Sequence, residues 1–461
     1  MKNYFNFKKI NNDYLITNDF GEYAFLNAKD FRSLIEENEF ESEETKKQLE
    51  ESLFIYDGSI EEFVERARGR MGRSKSYLYQ ATQLHIFVVT TACNLNCIYC
   101  QAQKGDDIPH GMMDKETAKK TVDIALSSPV STLDFEFQGG EPLMNFEVIN
   151  YIVEYSQEVN EGRKSIGYSI VSNLSLLTDE MIDFIKEHNI SISTSLDGDE
   201  ELHAKNRPMR SGDNSYKIAV EKLEKLRENG IMVGAINTTT KHSLAKGKEM
   251  VDAYLDNGFN NIQLRPLTPL GTANDNWNDI GYTPKEFVGF FRETFDYIYE
   301  LNKNGTQIIE GLSRILLTKI LYKKGVNYME LRSPCGAGFG QIAYYYDGNI
   351  YTCDEGRMLA EMGDESFKMG TVDDSYEKLI ESPVCKVACK SSILECMNSC
   401  SECVYQPYCG ICPVINYADR GDVFEKAPNS YKCQINKGIL DCIFEKIYKD
   451  EDAIEIFKGW I

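Results

Sequence analysis

Fourteen cysteines fall into two groups. Cys93, Cys97 and Cys100 form one tight trio. Cys335, Cys353, Cys385, Cys389, Cys396, Cys400, Cys403, Cys409, Cys412, Cys433 and Cys442 crowd the last third, and none lies between 100 and 335. A Cys-x3-Cys-x2-Cys run offers three thiolates, enough to hold three irons of a [4Fe–4S] cube and leave the fourth open to an outside ligand. The short Cys-x2-Cys pairs of the second group also suit a four-cysteine zinc site. Buried packing explains a few cysteines but not eleven in so short a stretch. Cys442, within the apolar helical pattern Ile439–Ile447, is the packing case. Two separated groups point to separate metal regions on separate domains.

These residues need a scaffold, and 461 residues with 42% hydrophobic and 26% charged side chains can bury a core over about three domains. The net charge of −22 argues against a phosphate-backbone partner. No apolar run of membrane-spanning length is present. The opening MKNYFNFKKINNDYL lacks a signal-peptide h-region. A cytoplasmic protein with free thiols is therefore expected, with neither nucleic acid nor membrane as partner. Residues 1–78 read as their own module. Tyr14–Thr17 and Glu22–Leu26 are strand-like around a turn, Asn27 can cap a helix bearing Phe31, Leu34 and Ile35, and further helices follow near 42–53 and 59–70. Strands followed by three helices resemble a winged helix. The basic run Arg66, Arg68, Arg70, Arg73 and Lys75 reads as either a docking patch for an acidic peptide or a solvated helix end.

From 83 to about 305 strands and helices alternate. Strands are expected at 83–91, 132–138, 166–172, 190–196, 231–239 and 260–266. Helices are expected at 114–127, 145–159, 178–188, 214–229, 243–257 and 284–303, with Asp114 and Thr178 as N-caps. Six βα units argue for an α/β fold with a parallel sheet, either doubly wound or a partial barrel. Gly139-Gly140-Glu141-Pro142, Ser172-Asn173, Ser195-Leu196-Asp197-Gly198 and Gln263-Leu264-Arg265-Pro266 all fall where strands end. Parallel folds place their chemistry there. Beyond about 330 the regular pattern fades.

The trio, with Tyr99 before its last cysteine, resembles the cluster loop of the radical S-adenosylmethionine (SAM) superfamily. The strand-end motifs are similar to that family's SAM-contacting stretches. The resemblance implies that Cys93, Cys97 and Cys100 carry the catalytic [4Fe–4S] cluster. It makes Tyr99, Gly139, Gly140, Glu141, Pro142, Ser172, Asn173, Ser195, Asp197 and Arg207 the SAM-binding set. Gly139 to Glu141 would hold the amino group, and Arg207 the carboxylate through a bidentate pair. His203 reads equally as a structural hydrogen-bonding residue, and Arg265 as facing ligand or pairing with a carboxylate. The fold implied is a partial (β/α)6 TIM barrel over 82–310.

Cys335-x12-Gly348-x4-Cys353, then Cys400-x2-Cys403-x5-Cys409-x2-Cys412 and Cys433, resembles the SPASM domain, here 330–445 with a helical tail at 446–461. One departure is two residues, rather than the family's usual three, between Cys409 and Cys412. The resemblance implies two auxiliary [4Fe–4S] clusters, three clusters in all. Cys335, Cys353 and Cys412 would hold the first; Cys400, Cys403, Cys409 and Cys433 would hold the second. The first lacks a fourth ligand. Either Cys385, Cys389 or Cys396 completes it, or an iron stays open for a substrate thiolate. Tyr345, Tyr346 and Tyr351 read as lining a peptide channel or as packing.

The N-terminal module is similar to PqqD-like leader-recognition domains, and the whole chain most resembles the His-Xaa-Ser system type B maturases. That implies a radical SAM enzyme that modifies a ribosomally synthesised precursor peptide bound through its leader. It would use electrons from a flavodoxin or ferredoxin, cleave SAM reductively to a 5′-deoxyadenosyl radical, abstract hydrogen from the peptide and close a thioether, C–C or C–O cross-link. The alternatives are a sulfatase-maturase-like enzyme making formylglycine from Cys or Ser, a peptide epimerase, and a non-enzymatic electron-transfer or zinc scaffold. The sulfatase type usually lacks a leader module.

Overall fold

The computed structural model describes residues 1–36, 39–102, 111–425 and 427–461. Asn6–Ile10 (β1), Asp13–Thr17 (β2) and Tyr23–Leu26 (β3) form an antiparallel sheet in that order. Helices Ala28–Glu36, Glu43–Glu51 and Ile60–Ser74 follow. Asn27 caps the first of them, its Oδ1 accepting from the Lys29 and Asp30 amides. Ser42 and Ser59 cap the other two. Ile16, Ala24 and Leu26 close a small core with Leu34, Leu49 and Phe54, whereas Ile35 lies outside it and is exposed. The last helix buries no residue. Its basic run is partly spent within the module: Arg66 donates to the Glu50 carbonyl at 2.9 Å and Arg70 to Glu22 at 2.6 Å.

Leu84–Thr90 (β4), Thr132–Gly139 (β5), Ser165–Val171 (β6), Ser191–Ser195 (β7) and Val233–Thr239 (β8) pair in parallel, in sequence order. The next expected strand is split. Asn261–Ile262 (β9) pairs with Ile309–Glu310 (β11), and Leu264–Pro266 (β10) extends the main sheet beside β8. β5 shows the logic of the layer. Leu133, Phe135 and Phe137 enter the buried core shared with the helices, while Asp134, Glu136 and Gln138 alternate onto the other face. The six expected helices lie at Lys115–Leu126, Phe146–Asn160, Asp179–Glu187, Ser215–Glu228, Gly247–Asp256 and Pro284–Lys303. Asp114 and Thr178 cap the first and third.

The cysteine-rich region does not stand apart. Gln341–Tyr344 (β12) joins β4 in parallel, and Asn349–Tyr351 (β13) and Lys368–Thr371 (β14) continue the same sheet antiparallel. Helix Tyr431–Lys449 runs unbroken across residue 445 and packs on Pro284–Lys303. The N-terminal module docks on this region. Asn6 donates to the carbonyls of Ser401 and Cys403, Thr17 to that of Val404, and Tyr408 to that of Gly21. Phe444 meets Tyr23 edge-on, stacks on Tyr405 and is tilted against Tyr408. Among the described residues no helix is long and apolar enough to cross a membrane.

Candidate active site

The trio loop leaves β4 and is tied down at several points. The amides of Asn96 and Ile98 donate to the carbonyls of Pro208 and Asn206 at 2.8 and 3.0 Å, and Cys100 donates to Cys97 at 3.1 Å. Its three thiols face a cavity at the carboxyl ends of the parallel strands. Cys93, Cys97, Tyr99, Cys100, Gly139, Gly140, Ser172, Asn173, Ser195 and Arg207 all line it, as does Arg265. Burial pushes the Cys97 thiol up to about 12 and Cys93 to about 11. Such thiols stay protonated in dry surroundings and release protons on meeting a metal.

Glu141, Pro142 and Asp197 are not among the residues lining this cavity. The Glu141 carboxylate accepts from the Ser172 hydroxyl at 2.7 Å and from the Asn173 and Leu143 amides at 2.8 and 3.0 Å. It is 1% exposed and works as a buried strut that sets the end of β6. Asp197 is fully buried. Its carboxylate accepts the Tyr99 hydroxyl proton, the hydroxyl lying 2.9 and 2.7 Å from the two oxygens, and pairs with Arg207 Nε at 3.3 Å. The Arg207 guanidinium lies over the Tyr99 ring, 5.3 Å from its centroid. His203 is buried, with Nδ1 accepting from the Asp197 amide at 3.3 Å, which is a structural role.

The two glycines answer to the backbone beside them. A Cβ on Gly139 would stand 2.2 Å from the Thr90 carbonyl oxygen, and one on Gly140 would stand 2.3 Å from that of Ala92. Both carbonyls belong to the segment leading into the trio. Gly140→Ala is therefore expected to push the Ala92–Cys93 backbone aside and cost about 1–3 kcal/mol. Urea unfolding of the iron-free chain would measure this, and an unchanged midpoint would refute the close approach.

The far wall of the cavity is supplied by Gln138, Asp354, Arg357 and Met358, none of which the motif reading singled out. Arg357 is 2% exposed, paired with Asp354 at 2.8 Å and donating to Gln138 at 3.1 Å. The signal for it was the charged run Asp354-Glu355-Gly356-Arg357 directly after Cys353. Tyr345 and Tyr351 instead pack among Ile86, Val88 and Ala343.

In the C-terminal region Cys400, Cys403, Cys409 and Cys433 line one cavity, which Cys412 also touches. Cys335, Cys353 and Cys412 share a small apolar core with Leu270 and Val414. Cys385 and Cys442 are buried and Cys396 is exposed. Among the described residues no group of three or more His, Cys, Asp or Glu converges on a single metal ion. A cubane is wider than an ion and takes its thiolates around a space rather than at a point.

The radical SAM superfamily model matches residues 87–253. The chain is 25% identical over 418 residues to the radical SAM cyclopropyl synthase TigE of Paramaledivibacter caminithermalis, covering 86% of this chain and 80% of that one. It is 25% identical over 272 residues to a cysteine-type anaerobic sulfatase-maturating enzyme of Clostridium perfringens, covering 58% and 72%. Among solved structures, native anSMEcpe with bound AdoMet superposes with a TM-score of 0.68 at 20% identity, covering 82% of this chain and 99% of that one. Streptococcus suis SuiB bound to precursor peptide SuiA superposes at 0.54 and 16%, covering 93% and 97%. The fold is thus the α/β radical SAM fold with a parallel sheet.

Proposed function

We propose, from the premise that this chain belongs to the radical SAM superfamily, that it matures a ribosomally made precursor peptide by oxidative cross-linking. In this reading the sheet forms a partial (β/α)6 barrel, residues 1–78 a winged-helix-like leader module, and 330–445 a SPASM domain. A [4Fe–4S] cluster with SAM would supply, when bound, a one-electron cleavage giving a 5′-deoxyadenosyl radical. Cys93, Cys97 and Cys100 would hold three of its irons. Arg207, its Nε held by Asp197 and its side chain lining the cavity, orients a carboxylate. Ser172, Asn173 and Ser195 border the ligand, and Glu141 and Asp197 fix the residues that touch it. Arg357 and Met358 close the far side against water. Cys335, Cys353 and Cys412 would hold one auxiliary cluster and Cys400, Cys403, Cys409 and Cys433 a second, groups that would supply electron-accepting capacity when bound, and a flavodoxin or ferredoxin would be the electron donor.

The observation that carries the peptide reading is the N-terminal sheet docked on the cysteine loops. β3 pairs only with β2 among the described residues, so its outer edge offers main-chain groups to an extended segment. SuiB, solved with a precursor peptide, supports the same reading. Formylglycine formation on a protein Cys or Ser is the second reading, favoured by the likeness to the sulfatase-maturating enzyme.

The test is to incubate the anaerobically reconstituted protein with SAM, a reductant and the short peptide encoded nearest its gene, then weigh the peptide. Loss of two hydrogens is expected, and fragmentation then locates the bond. Unchanged mass with deuterium uptake from heavy water would mean epimerisation. Release of 5′-deoxyadenosine with no change to the peptide would overturn the substrate.

A further inference from the structure

The strand-end cavity holds more positive charge than the reading above uses. Arg207, Arg265 and Arg357 line it against a single carboxylate, Asp354, in a chain whose net charge is −22. Two of the three arginines are engaged. Arg207 pairs with Asp197 at 3.3 Å and lies over the Tyr99 ring. Arg357 pairs with Asp354 at 2.8 Å and donates to Gln138 at 3.1 Å, so the lining carboxylate is already neutralised. Arg265 differs. Its main-chain amide donates to the Gln263 carbonyl at 2.9 Å, but among the described residues its guanidinium has no hydrogen bond and no ion pair. Three carboxylates act on its charge, Glu330, Glu355 and Asp354. None comes within ion-pairing reach, and Glu330 and Asp354 have cations of their own in Lys432, at 3.5 Å, and Arg357. Topology sets where Arg265 stands. β10 is the edge of the main sheet beside β8, whereas Asp354 and Arg357 follow β13, on the other side of β4. Both ends of the strand row thus reach one cavity, with Arg207, which follows β7, between them. A guanidinium without an anion in a recess is costly, and a carboxylate can meet it with two parallel hydrogen bonds.

We propose that Arg265 is a substrate-binding residue whose guanidinium takes a carboxylate of the precursor peptide; this rests on the maturase reading above and narrows its substrate class to peptides with an acidic group in the reacting segment. The contact is an ion pair, and no bond forms or breaks. Arg207 serves the carboxylate of SAM and Arg265 that of the peptide, so two anions are sorted to two places in one cavity. A peptide carboxylate held at Arg265 fixes the register of the residues on either side of it, and so selects which of them faces the radical. An Asp or Glu side chain and the peptide's own C-terminal carboxyl share this chemistry.

The experiment uses the full chain, reconstituted anaerobically, with SAM, a reductant and the short peptide encoded nearest its gene. On the peptide side each Asp is changed to Asn and each Glu to Gln, one at a time, and the C-terminal carboxyl is amidated in a separate sample. Turnover is followed by mass over a range of peptide concentrations. One neutralised peptide should lose at least about tenfold in kcat/KM, most of it through KM. A side-chain change with that effect identifies an acidic residue, and amidation with that effect identifies the chain terminus. On the protein side Arg265→Met should lose a similar factor with the unaltered peptide and far less with the peptide already neutralised at that position, because the two charges act as a pair. Arg265→Lys keeps the charge without the fork; it should fall between, and it carries the cycle where Arg265→Met is too slow to measure. The peptide changes leave the protein untouched, so folding does not enter that half of the test. If every neutralised peptide reacts as the parent does, no carboxylate is recognised and the proposal fails. If the peptide and protein losses simply add, the carboxylate is read elsewhere and it also fails. If Arg265→Met raises the SAM concentration for half-maximal 5′-deoxyadenosine release while the peptide KM stays, the guanidinium serves SAM, which again overturns it. A peptide left unmodified by the unaltered protein would overturn the maturase reading and this inference with it, whereas a peptide modified regardless of its carboxylates overturns this inference alone.

Discussion

Cys97→Ala abolishes 5′-deoxyadenosine release on addition of SAM and dithionite, by at least about a hundredfold, the scale on which even outer-shell changes at metal sites act. The loop around Cys97 is held by main-chain bonds from Asn96 and Ile98 to Pro208 and Asn206, and Leu95 bridges Met209. Truncating the side chain therefore removes a ligand without moving the loop. Of the twelve irons expected from three cubanes, about four should be lost. The remainder, on cysteines far along the chain, should stay. Chromatography of the nucleoside product and an iron assay on the same sample read both parts. Undiminished 5′-deoxyadenosine from the variant would refute the trio as the cluster site. No product even from the unaltered protein would return the chain to the electron-transfer or zinc scaffold reading.

The spacing of the trio and the strand-end motifs carried most of the site, because parallel strands deliver successive loops to one rim whatever their order in the chain. Cys93, Gly140, Ser172, Ser195 and Arg207 meet there although more than a hundred residues separate the first from the last. What the motifs did not reveal was which members face the cavity. A buried carboxylate takes whatever donors its neighbours offer. Glu141 was captured by Ser172 and Asn173, and Asp197 by Tyr99 and Arg207. The far wall was illegible for another reason. Arg357 reaches the cavity through the sheet's growth past β4 to β12 and β13, and no local pattern announces a pairing more than two hundred residues away.

Among the elements, β4 to β8 were legible close to their observed bounds, whereas the strand expected at 260–266 is split between β9 and β10. β1 was not legible, since Asn6-Phe7-Lys8-Lys9-Ile10 is short and polar, with Lys8, Lys9 and the ring of Phe7 left exposed. Helix Gly311–Tyr322 also escaped. Its Leu312, Leu316, Leu317 and Ile320 are buried, but Ile315 and Leu321 are apolar as well, so the contrast between faces is weak.

Asp197→Ala is expected to cost about 3–5 kcal/mol, the usual range for stranding one partner of a buried ion pair. The carboxylate is 0% exposed. Its oxygens take the hydrogen bond from the Tyr99 hydroxyl and the Arg207 contact at 3.3 Å. Removing it leaves a guanidinium, itself only 12% exposed, with no anion and a phenol with no acceptor. Asp197→Asn keeps the shape and one acceptor and should cost less. Arg207→Met should also cost less, because Asp197 retains Tyr99 and the main-chain amide of Thr238. The decisive measurement is the double variant Asp197→Ala with Arg207→Met. If the cost is that of an unpaired charge, the double variant is more stable than Asp197→Ala alone, and the cycle yields a coupling energy of at least about 1 kcal/mol. If the two costs simply add, the loss comes from packing and the pair does not act as one unit. The same variants bear on SAM. With Asp197 gone, Arg207 is no longer held over the Tyr99 ring, so the orienting guanidinium and the aromatic before the last cysteine of the trio lose register together. SAM affinity should then fall for Asp197→Ala even though Asp197 is not part of the cavity lining.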